Sequence, residues 1–160
     1  MLAYQSDARY LKYYPRAHRT TEQARDFVRG FTEWQGETPR TKYQLAIVLR
    51  AEGRLIGTCG IRMETTESWR ANIGYEIAPV YWGRGYATEA ARAIVAFDFR
   101  ELRLHRIWAR CVAENAASYR VLEKVGMQRE GRLREEEWMK GRWWDTLVYG
   151  ILDHEWRSQV

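Results

Sequence analysis

The feature that most constrains this chain is a glycine-containing turn between a strand-like segment and a helix-like segment. The turn reads Gly83-Arg84-Gly85, and apolar residues recur at helical spacing from there to about residue 100. The start of a helix presents unpaired backbone N–H groups and a partial positive charge, and a phosphate approaches them closely where no Cβ intervenes. Arg84 would add a formal charge. Taken alone, the two glycines favour an ordinary strand-to-helix turn over a phosphate site.

Two common phosphate loops are excluded by the residues around this turn. The P-loop requires Gly-Lys followed by Ser or Thr, and here Gly85 is followed by Tyr86 and Ala87. The dinucleotide-binding fingerprint requires a third glycine, where this chain has Thr88, and an acidic residue about 20 positions further on. The chain has Arg-Leu-His at 103–105 instead. A phosphate ligand would have to be bound in another way.

Hydrophobic periodicity predicts a mixed α/β fold around one sheet, in a single domain that spans residues 1–160. Helical spacing predicts helices at 7–14, 20–34, 85–100 and 115–125, and alternation predicts strands at 43–49, 54–63, 71–77, 105–112, 127–133 and 143–152. The third and fourth strands and the helix between them form a βαβ crossover, which joins parallel strands. A polar loop is expected between the last two strands.

The charge composition narrows the choice of partners. The chain has 26 Lys and Arg against 21 Asp and Glu, a net charge of +5, and no run of five or six like charges. This dispersed excess suits a small polyanionic ligand as well as RNA, and we expect no nucleic-acid partner. His18, His105 and His154 lack metal-binding spacing, so no metal site is expected.

The first residues and the two cysteines favour a cytoplasmic protein. Residues 1–7 are too short and polar for a signal peptide, and no uncharged apolar stretch approaches the roughly 18–20 residues that span a bilayer. No membrane partner is therefore expected. Cys59 and Cys111 each lie in a strand-like run, where they are expected to be small buried thiols in a reducing compartment.

Two longer motifs give the glycine turn a specific meaning. The run from Gly74 to Ala90, with Gly-Tyr-Glu-Ile-Ala-Pro and then Tyr-Trp-Gly-Arg-Gly-Tyr-Ala, resembles the pyrophosphate motif of the GNAT acetyltransferases. The run from Asn115 to Met127, with Asn-Ala-Ala-Ser and a final Glu-Lys-Val-Gly-Met, resembles the conserved helix of that family. Both are similar to its RimJ and RimL branch, the ribosomal-protein N-terminal acetyltransferases. The similarity extends from about residue 13 to residue 156.

The resemblance implies a fold and a donor substrate. The GNAT fold of acyl-CoA N-acyltransferases is a single mixed, mostly antiparallel sheet in which one parallel pair of strands splays apart. Acetyl-CoA would place its pantetheine arm in this V-shaped gap, which we expect Pro79 to keep open, and a backbone N–H near Ile77 would polarise the thioester carbonyl. The implied acetyl-CoA contacts are Ile77, Ala78, Trp82, Gly83, Arg84, Gly85, Tyr86, Ala87, Asn115, Arg120 and Lys124. A solvated basic face explains Arg120 and Lys124 at least as well.

The resemblance also implies direct transfer of the acetyl group to a primary amine of a protein N-terminus or a small molecule. Glu76 is the candidate base, directly or through water, while an ion pair or a solvated strand face explains it equally. Many GNAT enzymes carry a Tyr acid seven residues after the helix-initial Asn, where this chain has Leu122. The RimJ and RimL branch uses the Ser of Asn-x-x-Ser instead, so Ser118 is the candidate acid, with Asn115 beside it. Helix capping is the alternative for both.

One departure from the family affects the sheet. GNAT chains normally begin with a strand, whereas this chain begins at what looks like the first helix. Either the sheet lacks that strand or the true start lies upstream. A lost strand would leave an exposed edge that a second copy could cover in a homodimer.

Two other functions stay open at this point. The rivals to an N-acetyltransferase are a catalytically silent CoA-binding module and, with less support, a basic nucleic-acid-binding domain. Near the C-terminus, Trp138, Trp143 and Trp144 surround acidic residues. They indicate either a hairpin that buries its indoles or a dock for a cationic amine.

Overall fold

A computed structural model describes residues 2–15 and 20–158 of the chain. Its helices are α1 (Leu2–Gln5), α2 (Ala8–Leu11), α3 (Thr21–Gln35), α4 (Tyr86–Arg100), α5 (Ala116–Lys124) and α6 (Asp153–Arg157). Its strands are β1 (Lys42–Leu49), β2 (Arg54–Met63), β3 (Arg70–Ile77), β4 (Arg106–Val112), β5 (Gln128–Met139) and β6 (Arg142–Leu152). A short 3-10 turn, Pro79–Tyr81, lies between β3 and α4.

The strands form one sheet in the order β1-β2-β3-β4-β6-β5. Neighbouring strands are antiparallel except β3 and β4, which run parallel and are joined by the crossover through α4. The predicted mixed, mostly antiparallel sheet is thus confirmed. Within the described residues, no strand precedes β1, which forms one edge of the sheet.

Alternation along the strands divides the side chains between the two faces of the sheet. Ile61 of β2, Ile73 of β3 and Ile107 of β4 point to the face covered by α4, and all are at most 3% exposed. They form the main core with Ile94 and Val95 of α4. Burial of each such side chain contributes about 1.5–3 kcal/mol. The opposite face of β2 and β3 is polar and lies beneath α1, α2 and α3.

The helix starts follow from capping residues that the sequence shows. Thr20 accepts a hydrogen bond from the Gln23 N–H while the Gln23 side chain accepts one from the Thr20 N–H, which completes a capping box before α3. Asn115 caps α5 by accepting from the Ser118 N–H. Gly126, with a φ of +90°, follows the end of α5. These boundaries agree with the predicted ones.

The N-terminal region differs from the single helix predicted at 7–14. It contains two four-residue helices, and Asp7 interrupts them by accepting a hydrogen bond from the Arg9 N–H at the start of α2. Isolated helices of this length are unstable in water, so tertiary packing must hold them. Tyr4, Tyr10 and Leu11 supply it by packing with Ala78 in a second small cluster.

The predicted polar loop between the last two strands is wrong. β5 continues to Met139, and Lys140 and Gly141 make a two-residue turn with φ values of +53° and +77°. Charged residues fit this strand because it is an exposed edge, and a register shift between Leu133 and Glu137 interrupts the ladder there.

The tryptophans of this hairpin take different positions. Trp144 is only 6% exposed and donates its indole N–H to the Met139 carbonyl. Trp138 and Trp143 pair across the two strands with ring centroids 5.3 Å apart and remain more than half exposed. Of these three tryptophans, only Trp144 has the buried indole that the hairpin interpretation predicted.

The short helix α6, after the last strand, was not predicted.

Both cysteines are free thiols; Cys59 is buried as expected, whereas Cys111 is only partly buried. Burial raises the pKa of the Cys59 thiol to about 12, which keeps it protonated near neutral pH. Among the residues that the structure describes, no helix has the length and apolarity needed to cross a membrane.

One carboxyl group in the core has no partner. Asp98 of α4 is fully buried, and neither carboxylate oxygen has a hydrogen-bond partner among the described residues. Burial raises the pKa of Asp98 to about 8 from its usual 3.8. The folded protein therefore holds a proton between about pH 4 and pH 8 that the unfolded chain releases, so this group destabilises the fold progressively as the pH rises through that window.

We predict that Asp98→Asn stabilises the protein at pH 8 and much less at pH 5, because the amide removes the charge at the same size. The gain in the free energy of unfolding at pH 8, measured by urea denaturation, is expected to be about 1–3 kcal/mol. The matched control is Asp26→Asn, since Asp26 is exposed on α3 beside Arg29. An equal effect of Asp98→Asn at both pH values would contradict the assignment.

Candidate active site

The two parallel strands at the centre of the sheet separate soon after they meet. β3 and β4 pair only over Arg70–Asn72 and Arg106–Trp108, and the Asn72 side-chain amide donates to the Trp108 carbonyl at the fork, at 3.5 Å. Beyond it, β3 stays paired with β2 as far as Ile77, and β4 stays paired with β6 as far as Val112. The result is the predicted V-shaped gap.

The predicted reason for this gap needs correction. The strands part after Asn72, well before Pro79, so proline does not open the gap. Instead, Ala78 still donates its N–H to the Ile56 carbonyl of β2 at 2.8 Å, and Pro79 follows as the first residue of the 3-10 turn. Pro79 therefore ends the β2–β3 ladder, because proline has no N–H to continue it.

A cavity of about 440 Å³ passes through this gap. On the face of α4 and α5 it is lined by Tyr75, Cys111 and Ser118, and on the face of α1 and α2 by Glu76 and Tyr10. Because Tyr75 and Glu76 are neighbours on β3, their side chains point to opposite faces of the sheet. The cavity therefore has two ends, or mouths, one on each face of the sheet, and the two are lined by different chemical groups.

The predicted phosphate turn connects the end of β3 to the start of α4. Gly83 and Gly85 have φ values of +76° and +85°, which glycine adopts readily, and a Cβ at either position would meet only open space. Gly85 is the N-cap of α4, and no side chain caps its first turn. The N–H groups of Tyr86 and Ala87 therefore begin a helix whose end is open to a ligand. Arg84 is exposed beside this end.

The end of β3 offers a backbone donor toward the gap. Since the Ala78 N–H points to β2, alternation directs the N–H of Ile77 to the opposite edge, where β4 has moved away. Trp82 folds back to the same edge, and its indole N–H donates to the Ile77 carbonyl at 2.7 Å. This contact ties the glycine turn to the end of β3, as a joint site for a phosphate and a carbonyl would require.

The first turn of α5 faces the other wall of the gap. The Tyr75 hydroxyl donates to the Ser118 carbonyl at 2.8 Å and lies 3.3 Å from the Ser118 Oγ. Asn115 is occupied as the helix cap, as the capping alternative predicted. Leu122, at the position where the resemblance would place a tyrosine acid, is 1% exposed and supplies no proton donor. Burial raises the pKa of Tyr75, so its hydroxyl stays protonated.

Cys111 lies on the same wall but is not an activated nucleophile. Burial raises the pKa of its thiol to about 11, while its contact with Ser118 acts in the opposite direction. A thiol with this pKa carries little thiolate near pH 7, and thiolate is the reactive form. The arrangement therefore suits direct transfer better than a covalent cysteine intermediate.

Glu76 is held by neutral donors at the opposite mouth. Its Oε1 accepts from the Tyr4 hydroxyl at 2.7 Å, the Gln5 amide at 3.0 Å and the Thr58 hydroxyl at 3.3 Å. Its Oε2 accepts from the Tyr10 hydroxyl alone among the described residues. Among the described residues, Glu76 therefore forms no ion pair, and its carboxylate is held by side-chain donors rather than lying on a solvated face. Because Oε2 accepts fewer hydrogen bonds than Oε1, it retains acceptor capacity for a ligand in the cavity.

Arg120 and Lys124 are both exposed on α5. The Lys124 carbonyl accepts a hydrogen bond from Arg92 of α4 at 2.9 Å, which links the ends of the two helices. No contact in the described residues brings either side chain to the glycine turn, so their role toward a nucleotide remains a prediction.

Sequence reasoning missed the residues that come from distant elements. Tyr4, Gln5 and Tyr10 reach Glu76 from the N-terminal helices, and Arg62 and Thr146 line the cavity from β2 and β6. The cluster of four tyrosines within the first 14 residues is the one local signal that could have indicated an aromatic wall.

Comparison with known proteins agrees with this geometry. Residues 1–128 match the acetyltransferase (GNAT) domain family. The chain is 39% identical, over 153 residues, to the uncharacterized N-acetyltransferase YnaD of Bacillus subtilis, with 96% of this chain and 86% of the relative covered.

Two solved structures, each 20% identical to this chain, share its fold. Spermidine N-acetyltransferase from Vibrio cholerae in complex with CoA and spermine superposes with a TM-score of 0.81, over 97% of this chain and 89% of that one. Ribosomal-protein-S5-alanine acetyltransferase from Vibrio fischeri superposes with a TM-score of 0.77, over 95% and 88%.

The family match spans well over half of the chain, and YnaD shares its sequence over nearly the whole length. The splayed parallel pair and the glycine turn before α4 are the features that the motifs predicted. The resemblance, the fold and the enzyme class expected from the sequence are confirmed: the chain belongs to the GNAT family of acetyltransferases.

Proposed function

We propose that the protein transfers the acetyl group of acetyl-CoA to a primary amine by direct attack in a ternary complex. The observation that carries this proposal is the gap between β3 and β4, whose cavity is lined by Glu76, together with the uncapped start of α4 that the Trp82–Ile77 hydrogen bond ties to the end of β3. A donor and an acceptor entering from opposite faces would meet inside the sheet. The Vibrio cholerae neighbour, which holds CoA and spermine, supports such a pairing.

The donor would be bound mainly by backbone groups. The pyrophosphate of acetyl-CoA would accept hydrogen bonds from the turn Trp82–Ala87, with Arg84 adding charge and with Arg120 and Lys124 near the nucleotide phosphates. The thioester carbonyl would face the Ile77 N–H. A fixed donor at that point stabilises the negative charge that develops on the oxygen during attack.

Two side chains would handle the protons. Glu76 would accept the proton of the attacking amine through its less occupied Oε2, directly or through water. Ser118 would protonate the leaving thiolate and regain a proton from water, to which Glu76 would release its own. Tyr75 would position the serine by its hydrogen bond to the Ser118 backbone carbonyl. Asn115 would contribute by fixing the first turn of α5.

The rival functions account for less of this geometry. A silent CoA-binding module explains the turn and the gap but gives no reason for a carboxylate at the acceptor mouth. A nucleic-acid-binding domain explains the net charge alone. We propose that the protein acts in the cytoplasm. We also propose that two copies can pair along the β1 edge of the sheet to form a homodimer.

A direct experiment combines acetyl-CoA titration with an amine panel. We expect the protein to bind acetyl-CoA by calorimetry and to release CoA thiol with peptides that have free N-termini or with small amines. Gly85→Leu is expected to raise the KM for acetyl-CoA about 10–100-fold and the KM for the amine much less, because Leu is strained at this φ and its side chain blocks the phosphate.

The control variant is Gly53→Leu. Gly53 has a φ of +60° with open space around it, in the β1–β2 turn, so the strain is similar but no phosphate site is affected. No acetyl-CoA binding at tens of micromolar would overturn the proposal. Binding without thiol release from any amine would favour the silent module.

Substitutions at the two proton-handling residues are expected to lower the activity to different extents. Glu76→Gln should lower kcat/KM about 100-fold or more near neutral pH, with the loss shrinking at high pH where the amine is already neutral. Ser118→Ala should lower kcat only about tenfold, because a thiolate is a fair leaving group. Both are measured by thiol release at saturating acetyl-CoA across a pH series.

Each variant tests the role of its own residue independently of the other. An unchanged kcat in Ser118→Ala removes the serine from the mechanism, and an unchanged pH profile in Glu76→Gln removes the carboxylate as the base. Thermal melting of both variants separates these outcomes from a loss of folded protein.

A further inference from the structure

The acceptor mouth, the end of the cavity that contains Glu76, holds an arginine that has no ion-pair partner among the described residues. Arg62 of β2 lies opposite Asn72 of β3, on the same face of the sheet as Thr58 and Glu76. It lines the cavity, and a Cβ added to Gly74 would lie 3.4 Å from its Nη1. The guanidinium therefore extends over Gly74 toward Glu76.

Burial lowers the pKa of the Arg62 guanidinium, and the nearby Glu76 charge offsets only part of that effect. One guanidinium nitrogen donates to the Gln44 side-chain oxygen at 2.8 Å, and the Trp34 ring centroid lies 5.9 Å from the guanidinium carbon. No carboxylate of the described residues forms an ion pair with it. By contrast, Arg110, which lines the same cavity, pairs with Glu136. An arginine has five N–H donors, and a partly buried one without an anion costs free energy.

Arg62 and Glu76 face one cavity without forming an ion pair, although the Glu76 charge favours the charged form of Arg62. Gly74 lies two residues from Glu76, which is about 7 Å along a strand. Two hydrogen bonds of about 2.8–2.9 Å and a small intervening group span such a distance. Polycationic amines fit poorly, because a second ammonium group would be repelled by Arg62.

We propose that the acceptor is an amine that carries a carboxylate close by, whose carboxylate binds Arg62 while its amine faces Glu76. Free α-amino acids and peptide N-termini followed by an acidic side chain share this chemistry. A guanidinium binds a carboxylate through two parallel hydrogen bonds, which fixes the direction of the amine as well as its position. The inference rests on the proposed acetyl transfer, since it assigns the acceptor of that reaction.

The test uses acceptors that differ only in the carboxylate. Alanine is compared with alaninamide, and Ala-Asp-Ala amide with Ala-Asn-Ala amide, so that the two sources of the carboxylate are distinguished. Thiol release gives kcat/KM, and calorimetry on the CoA-bound enzyme gives the affinity for the corresponding N-acetylated products. The wild-type protein is expected to prefer the acidic member of at least one pair about 10–100-fold in both measurements.

Three variants make the test specific. Arg62→Met should abolish the preference, and Arg62→Lys should retain part of it, because lysine keeps the charge without the planar fork. The control is Arg70→Met, which removes the same charge from an exposed arginine paired with Glu64 outside the cavity. It should keep the full preference. Melting temperatures confirm that each variant is folded.

The outcomes separate this inference from the proposed function. Thiol release without a carboxylate preference, or a preference that survives Arg62→Met, overturns the inference and leaves acetyl transfer standing. Carboxylate-dependent product binding without turnover supports the inference and contradicts acetyl transfer. If no acidic product binds to the CoA-bound enzyme, Arg62 does not recognise a carboxylate.

Discussion

β3 and β4 pair with each other at only three positions, whereas each pairs with its other neighbour along nearly its whole length. The antiparallel ladders with β2 and β6 keep both strands in the sheet, so the parallel pair can part without unfolding either of them. Backbone groups along the opened edges lose their sheet partners, and buried polar groups without partners are costly. A ligand that satisfies them is therefore favoured in the gap, and the rest of the proposed mechanism depends on this opening.

The opening also divides the chemistry between two faces of one sheet. Successive residues of β3 point to opposite faces, so Tyr75 meets Ser118 on the side of α4 and α5 while Glu76 meets Tyr4 and Tyr10 on the other. A donor bound at the start of α4 and an acceptor bound beneath the N-terminal helices would approach each other through the gap. No hinge or covalent carrier is required for them to meet.

The sequence predicted those parts that depend on local signals. Thr20 and Asn115 mark helix starts, the glycines mark the turn before α4, and alternation marks the strands around the βαβ crossover. The N-terminal helices were not separated, because packing against Ala78 rather than helix propensity holds them. The long β5 strand was missed, because an exposed edge strand carries charges that resemble a loop.

In the candidate site too, the contiguous motifs were predicted from the sequence, whereas contacts between distant residues were not. The turn and α5 are contiguous motifs and were found from the sequence. The donors to Glu76 from the N-terminal helices lie 66 to 72 positions away in the sequence, and the position of Arg62 over Gly74 follows from strand register. Such relations exist only in the folded chain. The role of Pro79 was misassigned for the same reason, since its true neighbour is β2 and not β4.

The most direct measurement of the central claim is a crystal structure of this protein with acetyl-CoA or CoA bound. The account predicts that the pyrophosphate lies on the backbone N–H groups of the turn Trp82–Ala87 and that the pantetheine arm runs between β3 and β4, with its sulfur between Ile77 and Ser118. A CoA molecule bound elsewhere, or a gap that closes into a continuous β3–β4 ladder, would contradict it.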